Sequence, residues 1–430
     1  TGGCLLKIAA DGSGDPAIFA TGFRHANGMG ISPEGQLSGA GQQRNGIPAT
    51  RLDRYQDGGF YGMMNTHHRD PAPKSYHRPM MWFPLGADPS GASQVWTPND
   101  WGPMGGQMLH LSWGQCHILR ILPQEVAGWK QAAADVLPLP RTMAGPARAS
   151  FSPTDGHLYI AGLKGWQTWG EWDGTLERIR YLDDVDADQP LASVSDWQSL
   201  PDGLVLRFDT PLDREKASNP EAWQISQWNY YWSHEYGSLR WRPDAPHEQG
   251  ETALAASAVD VSEDGREVKL TLPGIRPAMQ TQIDFDLAQA DGTPYVDTLF
   301  FTLHTLPVAE ALALGEDWLA DETAWGTWGG AEASRADGVL ELQRTASAGG
   351  LLGESSYQHI QIDFAWEGTL GEGAVLVLRE VNSKCYQVPL SGDDAGGLRD
   401  NWRNAEHVTD TGETHLQDGD TNRMRVRLEG

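Results

Sequence analysis

Apolar residues in this chain come in short runs broken by glycine, proline and acidic turns, and no long stretch carries helical spacing. The pattern predicts many short strands joined by tight reversals, an all-β chain. Two segments share one turn signature. Gly28-Met29-Gly30-Ile31-Ser32-Pro33-Glu34-Gly35-Gln36-Leu37 recurs loosely as Ala149-Ser150-Phe151-Ser152-Pro153-Thr154-Asp155-Gly156-His157-Leu158-Tyr159. In each, a strand runs into Ser-Pro, an acidic-Gly turn reverses the chain, and a second strand follows. Glycine is expected there because such hairpins need a positive φ.

Hairpins repeated in this way are a feature of β-propellers, whose blades take about 40–50 residues. Residues 1–182 are therefore read as a partial propeller. The stretch from Arg51 to Pro103, rich in Pro, Met, His and Trp, is too irregular for a simple blade and predicts elaborated loops. Residues 183–197 read as an acidic linker. Within it Asp184, Asp186 and Asp188 imitate the start of a calcium loop, but the glycine and closing glutamate of such a loop are missing.

Between residues 198 and 307 the runs Gly203–Phe208, Val268–Leu272 and Leu299–Leu303 are spaced for an immunoglobulin-like sandwich. The aromatic segment from Trp228 to Ser238 stands out there, either as a sugar-stacking loop or as a packing surface between domains. Residues 311–430 carry Val339–Leu342, Ile360–Phe364, Val375–Leu378 and Met424–Leu428, predicting an antiparallel jelly roll. The chain begins without Met and stops within what reads as a hairpin, so both ends look cut and the jelly roll is expected to be truncated.

Charge changes the list of partners. With 32 Lys and Arg against 58 Asp and Glu, the net charge is −26 over 430 residues, which repels phosphate backbones and anionic lipid. Nucleic acid is excluded as a partner on that ground, and no apolar run reaches the roughly 20 residues of a membrane helix. Neutral carbohydrate stays compatible, and the 18 Trp suit it. Cys4, Cys116 and Cys385 show no CxxC spacing; buried thiols or a Cys4–Cys116 pair are the alternatives.

Two resemblances add to this. The phrase from Gly22-Phe23-Arg24-His25-Ala26-Asn27 to Leu37 resembles the quinoprotein glucose/sorbosone dehydrogenase propellers, whose pattern reads Arg-Asn-x-Gln-Gly-Leu. Arg24 matches, while His25 stands at the Asn and Asn27 at the Gln. The resemblance implies pyrroloquinoline quinone with calcium as cofactor, held by Arg24, His25 and Asn27, and a catalytic His upstream of the phrase. Asp337–Leu340, Tyr357–Phe364, Gly373–Arg379 and Asn422–Gly430, in that order, resemble the 3-keto-disaccharide hydrolase family, a laminarinase-like or concanavalin-like jelly roll. Together they imply a large secreted or periplasmic bacterial multidomain protein.

The residues allow the same chemistry to be argued directly. A hydride-accepting quinone needs a cation for its carboxylates and a base for the sugar hydroxyl. Arg24 suits the first role through its bidentate, permanently charged fork, or else serves as a turn salt-bridge partner. His25, His67, His68 and His110 are candidates for the second, against a reading as hydrogen-bonded loop residues. Neighbouring His67 and His68 on an extended segment would point opposite ways. Trp166, Gln167 and Trp169 could cradle a sugar or plug a domain interface. No phosphate loop, HExxH helix or GxSxG elbow occurs. Two functions remain: an exported assembly for sugar oxidation or keto-glycoside cleavage, and a non-catalytic polysaccharide-binding scaffold.

Overall fold

The computed structural model describes residues 2–165, 167–181 and 193–307, and beyond them the backbone of the strands between 325 and 428. The chain is all-β; among the described residues helix is confined to Arg214–Ala217 and three 3-10 turns. It forms two compact units, Thr1–Ala309 and Glu310–Gly430.

Both copies of the turn signature fold alike. Met29–Ile31 pairs antiparallel with Leu37–Gly41, and Gly145–Phe151 with Leu158–Leu163. The serine before the proline closes each turn. Ser32 N donates to Gln36 O at 2.9 Å and Gly35 N to Ser32 O at 2.8 Å, matched by Ser152 N to His157 O and Gly156 N to Ser152 O, both 2.9 Å. Gly35 and Gly156 adopt φ of +84° and +69°, the left-handed region expected of them.

An eight-stranded sheet organises the first unit. Its order is Thr252–Leu254, Trp223–Trp228, Ala278–Ala288, Pro294–Leu303, Trp129–Val136, His117–Val126, Met108–Ser112, Gly91–Trp96. The regions read from sequence as 1–182 and 198–307 thus share one hydrogen-bonded sheet, joined where Ala132, Ala133 and Ala134 face Thr302, Phe301 and Phe300. Period-two alternation makes that seam a wall between two cores. Ala133 and Phe301 point into one, with Leu204, Leu206, Val268 and Leu270 of a facing four-stranded sheet. Ala132, Ala134 and Phe300 point into the other, with Leu52, Met81 and Phe83. Three consecutive alanines leave room for bulky partners on both faces.

The facing sheet begins with Val194–Leu200, so a strand starts inside the stretch read as linker. Trp197 explains it: the indole is buried, donates to Leu122 O at 2.8 Å and meets Phe301 edge-on at 5.1 Å. Asp184, Asp186 and Asp188 lie outside the described residues. The Arg51–Pro103 stretch contains more regular structure than its composition predicts, including Thr50–Arg54, Met81–Phe83 and Gly91–Trp96.

In the second unit every pairing among the described strands is antiparallel. Trp325–Ala336 pairs with Val339–Gly353, Ile360–Trp366 with Asn422–Leu428, and Val375–Val381 with Lys384–Pro389. All four strand runs expected there fall in strands.

Candidate functional site

The phrase carrying Arg24 leads into a cleft. Phe23 is buried against Tyr61, stacked at 4.9 Å, and against Tyr55, edge-on at 4.8 Å. With Phe23 anchored, Arg24 and His25 follow at the surface, His25 in the left-handed region at φ +43°. They line a cleft of about 810 Å³ together with Arg44, Arg148, Tyr55 and Met63. Asn27 stands at its rim: Arg148 Nη1 donates to Asn27 O at 3.2 Å and to Ala147 O at 2.7 Å. The structure therefore brings Arg24, His25 and Asn27 to one place.

Each cation is positioned by a local device. Gln42 N donates to Arg24 O at 3.2 Å, while Arg24 Nη1 donates to the Gln42 side-chain carbonyl. Arg44 opens the turn Arg44-Asn45-Gly46-Ile47, in which Arg44 N and Ile47 O, and Ile47 N and Arg44 O, are bonded at 3.0 and 2.9 Å. Arg148 sits at a bulge, where the register with Leu158–Leu163 shifts between Pro146 and Arg148. Gly28 is required beside it, because a Cβ there would come within 3.0 Å of Arg148 Nη1 and Ser93.

Electrostatically the cleft opposes the rest of the chain. Three guanidiniums and an imidazole line it and, among the described residues, no carboxylate does, in a protein of net charge −26. Arg24 Nε is buried without a hydrogen-bond partner, and among the described residues the Arg44 guanidinium has no hydrogen-bond or ion-pair partner. Burial lowers the Arg24 pKa, and Arg44 adds to the effect. Burial, then Arg24, then Arg44 lower that of His25. An orphaned buried donor and crowded cations are groups whose electrostatics an anion would relieve.

The cofactor implied by the resemblance can be tested against these donors. A quinone bearing three carboxylates fits three guanidiniums with free donors. Calcium does not fit: it takes oxygen ligands, no carboxylate lines the cleft, and among the described residues no group of three or more His, Cys, Asp or Glu could hold a metal. A second depression of about 530 Å³ is of opposite sign, lined by Glu221, Asp284, Asp286 and Asp297, where burial raises Asp297 to about 7.

The other sequence candidates lie elsewhere. His110 is fully buried; its Nε2 meets Asp88 Oδ2 at 2.7 Å and its Nδ1 meets Gln94 Nε2 at 3.0 Å, under a stacked Phe83 ring at 5.1 Å. The extended segment that the sequence predicts for His67 and His68 is not formed: His67 caps the 3-10 turn Met64–Thr66 in the right-handed region and His68 has φ +49°. His67 Nδ1 accepts from Arg69 N at 3.0 Å, and His68 Nε2 donates to Gly2 O at 2.8 Å, tying down the edge of the cleft. Gln167 and Trp169 occupy a separate exposed loop, with Arg141 over the Trp169 ring at 4.7 Å; Trp166 lies outside the described residues. No disulfide joins Cys4 to Cys116, and the Cys385 side chain lies outside the described residues.

Sequence reading missed Arg44 and Arg148. Arg148 had one signal. Aligning the two turn copies on Ser-Pro places it opposite Gly28, the residue it touches. Arg44 had none, since its place depends on a loop distant in sequence.

No protein-family model matches the chain, and no curated protein matches it. Among solved structures, the PQQ-bound aldose sugar dehydrogenase from Streptomyces coelicolor is similar at 15% identity and a TM-score of 0.28. The match covers 41% of this chain and 51% of that one, so this chain spans about half the length of its neighbour.

Proposed function

We propose that the Arg24 cleft is the ligand site of an exported carbohydrate-oxidising protein and holds a quinone bearing several carboxylates. The observation that carries this is the set of three guanidiniums, one with an orphaned buried Nε, in a cleft without carboxylates. The resemblance of the Arg24 phrase to sugar-dehydrogenase propellers supports the ligand class. Arg24, Arg44 and Arg148 would hold the carboxylates, and when bound such a group supplies a two-electron acceptor for hydride. His25 is the imidazole of this cleft. Held neutral by burial and by two cations, it can take the proton of a sugar hydroxyl. The second unit, read as a jelly roll like that of the keto-glycoside hydrolases, would add carbohydrate binding or cleavage.

Titration of the purified chain with pyrroloquinoline quinone, followed by calorimetry, tests the site. Binding is expected, with citrate competing, and Arg24→Ala is expected to weaken it by about 10- to 100-fold, the worth of a charge-assisted bond. Absence of binding by both anions sinks the proposal.

A pH profile tests His25. Aldose-dependent dye reduction by the loaded protein is expected to stay level from about pH 8 down past the ordinary imidazole value of 6.5, because the lowered pKa keeps His25 unprotonated there. It should fall only at lower pH. His25→Gln is expected to cost about 10²–10⁴-fold in rate and to remove that falling limb. A limb that persists in the variant assigns the base elsewhere.

A further inference from the structure

The aromatic segment from Trp228 to Trp241 is too long and too apolar for a plain connection, and its contacts give it a purpose. Its base is closed by Asn229 N to Trp241 O at 2.7 Å and Trp241 N to Asn229 O at 3.0 Å, with Tyr231 stacked on Trp241 at 4.6 Å. Its tip crosses to the N-terminal sheets. Trp232 Nε1 donates to Gly62 O at 2.8 Å, and the ring meets Tyr76 edge-on at 5.3 Å.

Beyond Trp232 the tip grips the turn that carries Arg44. Gly46 N donates to Glu235 O at 3.2 Å, Gly237 N to Arg44 O at 3.1 Å, and Ser238 N to Pro48 O at 3.0 Å. Asn45 Nδ2 adds a bond to His234 O at 3.1 Å. Gly237 is required at the crossing, with φ +68° and a would-be Cβ 2.3 Å from Gln43 Nε2. Gly62, at the other anchor, precedes Met63, which lines the cleft and whose N donates to Gly22 O at 3.0 Å.

We infer that this segment is an arm that positions Arg44 in the anion cleft, with Trp232 as its anchor and the carboxylate end of the ligand as the group it serves. The inference rests on the reading of the cleft as an anion site. Physically, Arg44 carries a guanidinium without a hydrogen-bond or ion-pair partner among the described residues, on a four-residue turn, and such a turn alone does not hold a charge in register. Four hydrogen bonds between the arm and residues 44–48 do. Holding the cation in advance removes the ordering cost that a ligand would otherwise meet. Trp232 and Gly237 are positioning residues that act through Arg44.

The test uses the full chain and pyrroloquinoline quinone as probe, with wild type, Trp232→Ala, Arg44→Gln and the double variant compared by calorimetry. Trp232→Ala and Arg44→Gln are each expected to weaken binding by about tenfold. The double variant should bind within about twofold of Arg44→Gln, since both changes act through one group. Amide exchange over residues 42–48 without ligand should quicken in Trp232→Ala. Gly237→Val, which pushes the tip off Gln43 without touching the core, should reproduce both effects if Trp232→Ala fails to fold. Unchanged exchange, additive losses, or wild-type affinity in Trp232→Ala each overturn the arm while leaving the site standing. Failure of wild type to bind overturns the site itself, whatever the exchange shows.

Discussion

Asp53→Ala is expected to destabilise the first unit by about 3–5 kcal/mol, because it leaves a buried guanidinium without its counter-charge. Arg51 and Asp53 lie two apart on the strand Thr50–Arg54 and so share a face. Both are 1% exposed, and the pair is bidentate, Nε to Oδ2 at 2.8 Å and Nη2 to Oδ1 at 2.7 Å. The Tyr76 and Trp82 rings stand 5.1 Å from the guanidinium and Tyr61 5.7 Å. Those faces favour a cation but replace neither carboxylate oxygen. Tyr61 is also the ring stacked under Phe23, so loosening Arg51 disturbs the floor beneath Arg24 and should weaken anion binding too. Equilibrium denaturation measures the loss. Arg51→Met combined with Asp53→Leu is expected to restore most of it, since an apolar pair demands no desolvation of charge. A loss below about 1 kcal/mol for Asp53→Ala would mean that water reaches the guanidinium.

The second large effect is expected at Asp88. Its Oδ2 meets His110 Nε2 at 2.7 Å, while Oδ1 accepts from Ser112 Oγ at 2.8 Å and from Ser90 N at 3.1 Å. Gln94 Nε2 can only donate, so Nδ1 of His110 accepts and Nε2 carries the proton toward the carboxylate. Ser38 Oγ completes the chain on Gln94 Oε1 at 3.0 Å. Asp88→Ala removes one acceptor group and orphans an imidazole N–H, the Ser112 hydroxyl and the Ser90 backbone N–H in a dry core, about 3–9 kcal/mol at about 1–3 per buried unsatisfied group. The same protein should keep its affinity for pyrroloquinoline quinone below its melting temperature, because none of these residues lines the cleft. A large loss of affinity in folded Asp88→Ala would return His110 to the list of functional residues.

How legible each feature was follows from the range of the interaction behind it. The hairpins in which Ser-Pro leads into an acidic-Gly turn are local: serine, the glycine φ and the flanking apolar strands act within about ten residues, so the pattern sufficed. The runs Gly203–Phe208 and Ile360–Phe364 were legible for the same reason, alternation and β-branching being local. Arg24 and His25 were singled out from one phrase, and that phrase does line the cleft.

The cationic lining of the cleft was not legible, because its charges come from three separate places. Arg44 is held by backbone bonds from residues 235 to 238, and Arg148 arrives from a bulge in another sheet. His110 and the linker failed in the opposite direction. A histidine near loops looks reactive until Asp88 and Phe83 enclose it, and acidic residues before Val194 hide the strand that Trp197 secures. Strand content and turn chemistry, then, are carried by neighbours along the chain. Which charges meet, which imidazole stays dry and which sheet joins which region depend on pairings such as Ala133 with Phe301, made across more than a hundred residues. No window on the sequence spans them, and packing selects among partners that look alike in one dimension.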